Sequence, residues 1–125
     1  MVESKLTLDI LDLFFDGEKD AELFKMQINF LTISEIEYTG VGAFISFKSD
    51  EEIYKYRAYS DFTNSDFVNE NRLTILDGIQ IKNDSLNIEA SAMIRIEDGI
   101  IESIEIFNHN GFEYPEYELE HYEVS

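Results

Sequence analysis

Residues 86–106, LNIEASAMIRIEDGIIESIEI, hold the alternation that decides the fold. Ile88, Ala90, Ala92, Ile94 and Ile96 take every second position, and Ile100, Ile104 and Ile106 fall in one phase after them, as half-buried strands require. Asp98-Gly99 between the two runs signals a hairpin. A two-residue turn there would pair Glu97 with Ile100 and put the two apolar rows on opposite sides of the sheet. A three-residue loop, Glu97-Asp98-Gly99, pairs Ile96 with Ile100 and merges them. The second register is predicted, because it buries about five aliphatic side chains together at roughly 1.5 to 3 kcal/mol each. It sets Glu102 opposite Ile94, where a carboxylate needs a sheet edge or a partner.

Working outward, Leu73 to Lys82 reads as the preceding strand, with a turn at Asn83-Asp84-Ser85 and a bulge at Asp77-Gly78. Thr32 to Tyr38 and Ala43 to Lys48 flank Thr39-Gly40-Val41-Gly42, whose glycines admit a turn or bulge that β-branched residues avoid, so that a hairpin or a sharply bent long strand would fit. Ile53 to Tyr59 is predicted as a further strand, and the polar run Ser60 to Arg72 as a loop. At the start, Leu6, Ile10, Leu13 and Phe14 fall at helical spacing between an N-capping Ser4 and a terminating Gly17. A second helix is expected from Glu18 to Ile28, with Ala21, Phe24 and Ile28 inward. The fold class is therefore α+β in a single domain over residues 1–125: two N-terminal helices packed on a mainly antiparallel sheet of about five or six strands. Leu73 to Lys82 and Leu86 to Ile96 are expected to be central.

Charge narrows function. The chain carries 27 Asp and Glu against 9 Lys and Arg, a formal charge of -18 on 125 residues. Such a surface repels a phosphate backbone, so direct binding of nucleic acid is not expected, and a basic partner is favoured. Ten Phe and seven Tyr set it apart from disordered acidic chains. Without cysteine there is no disulfide, thiolate site or thiol nucleophile. Asp9, Asp12 and Asp16 interrupt the first apolar stretch, and no window reaches the roughly 18 apolar residues of a membrane span. The expectation is a cytoplasmic protein with no membrane contact.

No stretch spells out a catalytic site. Gly40-x-Gly42 precedes a strand, whereas a phosphate loop needs a helix N-terminus there. His109 and His121 lack metal-ligand spacing; His109 reads as a turn residue and His121 as part of a strand face. Carboxylate pairs such as Glu35 with Glu37 or Glu102 with Glu105 arise by chance among so many acids. No cofactor and no catalytic residue are assigned.

From Asn108 onward there is no Lys or Arg. Tyr117, Leu119 and His121 alternate with Glu116, Glu118 and Glu120 beyond Pro115, the pattern of a terminal edge strand. Tyr114, Glu116, Tyr117, Glu118, Glu120 and Tyr122 form the candidate partner-binding set, since tyrosines supply contact area and carboxylates steer a basic target. The functional expectation is a non-enzymatic protein-binding module of the immunity or inhibitor kind. The alternative is a small ligand-binding domain or enzyme with an aromatic pocket between helices and sheet, lined by Phe14, Phe24, Phe44 and Tyr38.

Glu37-Tyr38-Thr39-Gly40-Val41-Gly42-Ala43-Phe44, then Asp98-Gly99-Ile100 with Ile104-Glu105, then Tyr114-Pro115, resembles a family of small uncharacterised bacterial proteins. Their pattern is a "TGvGff" segment and a late "dG.i..LE" hairpin with a proline beyond. The resemblance spans most of the chain and implies an α+β domain. It implies no activity and no site residue, and the acidic tail past Pro115 departs from the pattern.

Overall fold

Helix α1 spans Lys5–Phe15 and starts where the Ser4 hydroxyl accepts the Thr7 amide at 3.1 Å. Leu6, Ile10 and Phe14 are buried as the spacing predicts, Leu11 and Phe15 widen the buried stripe, and Leu13 is only partly buried. The second helix is shorter than predicted. Gly17 and Asp20 take positive φ of 79° and 66°, which no helix accommodates, so α2 covers only Ala21–Ile28. Phe15 and Phe24 stack at 4.3 Å and join the two helices. The structure, a computed structural model, describes residues 2–18, 20–58, the backbone of 65–67, and 73–125. No described helix is long and apolar enough to cross a membrane.

The strands are β1 (Leu31–Tyr38), β2 (Gly42–Ser49), β3 (Ser65–Phe67), β4 (Leu73–Asn83), β5 (Ile88–Glu97), β6 (Ile100–Asn108) and β7 (Glu123–Val124). They form one antiparallel sheet in the order β1-β2-β6-β5-β4-β3, with β7 beside the other half of β4. The architecture is α+β, two N-terminal helices on an antiparallel sheet. β5 is central, while β4 has only the two short strands on its outer side. Two apolar rows cross five strands on the face toward the helices: Ile36, Ile45, Ile104, Ile94 and Leu76, then Tyr38, Ala43, Ile106, Ala92 and Ile79.

Three local predictions change. Ile53 to Tyr56 is not a strand: Glu51–Tyr56 form a 3-10 helix, because Asp50 accepts the Glu52 amide at 3.0 Å and acids fill the first turn. Tyr59 lies outside the described residues. Of the expected loop Ser60 to Arg72, only residues 65–67 are described, and they form β3. The last hairpin closes with a two-residue turn, not a three-residue loop. Asp98 and Gly99 both have positive φ, 51° and 77°, and Glu97 pairs with Ile100.

The apolar rows merge nonetheless, because a bulge re-phases β6. Ile96 faces Ile101, Arg95 faces Ser103, and from there Ile94 faces Ile104 and Ala92 faces Ile106. Glu102 is the extra residue, so it does not oppose Ile94. The predicted bulge at Asp77-Gly78 is present, between Leu76 and Ile79.

A buried glutamine locks this hairpin to the helices. Gln27 Nε2 donates to the Tyr56 and Gly99 carbonyls at 2.9 and 2.8 Å, and Oε1 accepts the Ile101 amide at 3.0 Å. The fit at the turn is close: a Cβ on Gly99 would stand 2.0 Å from the Ala58 carbonyl oxygen.

Candidate binding surface

The tail is a strap rather than a strand. Pro115 has no amide to donate, and a strand ladder forms only at the far end of the tail, where Glu123, Val124 and Ser125 lie beside β4. The Tyr114 amide reaches the Gly40 carbonyl at 2.9 Å, Asn83 Nδ2 reaches the His121 carbonyl at 2.6 Å, and Ser125 exchanges bonds with Gln80 at 2.9 and 3.1 Å. Only Glu123–Val124 pair with β4. Tyr117 and His121 are therefore exposed, contrary to the alternation, while Leu119 is buried and Glu116, Glu118 and Glu120 are exposed as expected.

Three of the six tail residues singled out by sequence serve the fold. Tyr114 is buried against the sheet, and burial pushes its hydroxyl pKa up, with Tyr38 and Glu118 adding to the effect. The Ser4 hydroxyl donates to Glu118, tying the tail to the cap of α1. Tyr122 donates to Asp9 at 2.5 Å, and Lys5 bonds the same carboxylate at 2.7 Å. Those bonds, Lys5 first, hold Asp9 below the usual carboxylate range. Glu116, Tyr117 and Glu120 remain solvent-facing, with Tyr117 56% exposed.

The face of the sheet turned away from the helices carries a different set. Glu37, Phe44, Glu105 and Met93 are successive cross-strand neighbours on β1, β2, β6 and β5, and Phe107 follows Glu105 two residues on. Phe44 and Met93 are each 37% exposed and Phe107 45%. Phe107 stands between Gly42 and Ser91, which leave its ring uncovered. Gly42 cannot carry a side chain, since its Cβ would lie 1.7 Å from the Ile106 carbonyl oxygen. His109 meets the Phe107 ring edge-on at 5.0 Å and shares a hydrogen bond with Ser91 at 2.6 Å. Glu35, opposite Ser46, continues the acidic flank along β1.

Sequence reasoning missed this patch. It set Phe44 in a pocket with Phe14, Phe24 and Tyr38, but Phe44 alternates with buried Ala43 and Ile45 and so projects to the opposite face. Phe14 and Phe24 are buried in the core. The cavity that Tyr38 does line, with Thr7, Ile36 and Tyr114, is about 20 Å³. Phase held the missing signal: Met93 and Phe107 lie out of step with Ile94 and Ile106.

A third feature lies at the bulge. Desolvation, then the neighbouring Glu97, push Glu102 up to about 7, against the pull of Arg95, whose Nε lies 3.6 Å away. The adjoining cleft, about 290 Å³, also holds Arg57, which pairs with Asp98 at 3.3 Å and sits 4.9 Å over the Tyr54 ring. Among the described residues, no three His, Asp or Glu side chains gather as a metal-ligand set. No family model, curated protein or solved structure matches the chain.

Proposed function

We propose that this protein is a binding module of the inhibitor or immunity kind, whose acidic surface engages a basic protein. One observation carries the reading: the negative field has little internal compensation. The chain has 9 Lys and Arg against 27 Asp and Glu. Lys5, Lys55, Arg57, Lys82 and Arg95 each lie beside a carboxylate of the same chain, at 2.7 to 3.7 Å. Nine cations cannot neutralise 27 carboxylates, so the net field is negative, and such a field accelerates encounter with a cationic surface and repels polyanions.

The test is recovery of partners from the native cell by the tagged protein, repeated from low to physiological ionic strength. The reading expects a protein with net positive charge whose association rate falls as salt rises. Recovery of neutral or acidic partners alone, or association indifferent to salt, contradicts it.

A further inference from the structure

We infer that the basic partner docks on the uncovered face of the sheet, over Phe44, Met93 and Phe107. The inference rests on the reading just given and adds the location. The three side chains lie on adjacent strands β2, β6 and β5, and each keeps more than a third of its surface in water. Large apolar and aromatic groups of this kind supply most of the energy of an interface once desolvated. Met93 adds a polarizable side chain that adapts to a partner's contour.

The flanks identify the occupant. Glu37 and Glu105 stand directly beside Phe44, and Glu35 continues the edge. Arg95, the cation on this face of β5, lies 3.6 Å from Glu102. A second copy would bring another charge of -18 and the same carboxylates against these. Like charges set opposite each other disfavour that pairing, whereas lysines or arginines around an apolar centre match it. Past Pro115 the tail offers no comparable centre: its one exposed large hydrophobic side chain is Tyr117, set among the exposed Glu116, Glu118 and Glu120. The face is also rigid. Its strands are held on the far side by two apolar rows and by Gln27, so little order need be gained on binding.

The test uses two synthetic peptides of equal charge, one alternating lysine with leucine and one alternating lysine with serine, with affinities read by calorimetry. At physiological salt the lysine-leucine peptide is expected to bind about ten-fold more tightly, the equivalent of ~1.4 kcal/mol. Phe44→Ser with Phe107→Ser is expected to erase that margin. Met93→Lys, which leaves the buried face untouched, is expected to erase it too, so the result does not depend on one variant folding. Glu116→Gln with Glu120→Gln is expected to preserve it. Equal binding of the two peptides, or a margin lost only in the tail variant, overturns the docking site while leaving a basic partner in place. Failure of both peptides to bind at low salt overturns the partner reading as well.

Discussion

The two faces of the sheet are built from alternate residues of the same strands, yet they perform opposite tasks. Toward the helices, Ile36, Ile45, Ile104, Ile94 and Leu76 cross five strands without a polar interruption. One residue along, the row reads Glu37, Phe44, Glu105 and Met93, with apolar groups set between carboxylates and no described helix over them. Burial dictates the first row: any polar group there needs a partner, as Gln27 has in three backbone groups. The second row carries large apolar side chains that the fold does not consume.

The comparison breaks first if truncations on the two faces cost the same. Ile104→Ala removes a fully buried side chain between Ile45 and Ile94, and a loss of roughly 2 to 5 kcal/mol is expected in urea unfolding. Phe107→Ser on the open face is expected to cost less than about 1 kcal/mol. Comparable costs would mean that the open face is a second core.

Gln27→Ala sharpens the contrast from the buried side. It strands the Tyr56 carbonyl and the Ile101 amide and leaves the Gly99 carbonyl with the Ala58 amide alone, at 3.2 Å, and a loss of about 2 to 4 kcal/mol is expected from the same measurement. A neutral result would detach the hairpin from α2. The strap is expected to matter less. Tyr122→Phe deletes the hydroxyl bonded to Asp9, at a cost of about 0.5 to 1.5 kcal/mol.

The smallest effect is a pH dependence at the bulge. Glu102 is raised from 4.5 to about 7 in the folded state by desolvation and by Glu97, so the native protein holds a proton that the unfolded chain releases between those values. Its contribution therefore favours folding as pH falls through about 7 and opposes folding above it. Stability is expected to rise from pH 8 to pH 6, and to rise less in Glu102→Gln, as read from thermal midpoints at fixed ionic strength. Solvent screening keeps the difference small, because the side chain is 43% exposed. An identical pH response in the variant would contradict the assignment.

Both helices and the hairpins were legible because apolar residues at period 3.6 or 2 have one way to be buried together. The register of β5 and β6 was half legible. Merging the rows was correct, but the turn preference of Asp98-Gly99 prevailed and the mismatch moved into a bulge at Glu102. Ile53 misled because Asp50 caps a 3-10 turn that buries Ile53 and not its neighbours. In the tail, alternation of tyrosine and glutamate imitated a strand whose ladder never forms. At the candidate surface, Phe44 looked like core because it is aromatic, while its phase between Ala43 and Ile45 already placed it outside.

The central claim is that the open face, and not the tail, receives a basic partner. Amide chemical-shift mapping of the labelled protein during titration with the lysine-leucine peptide tests it most directly. The account predicts saturable shifts concentrated in residues 42–46, 91–95 and 103–107, persisting at physiological salt. Shifts confined to residues 116–120, or spread evenly over the acidic surface and abolished by salt, would contradict it.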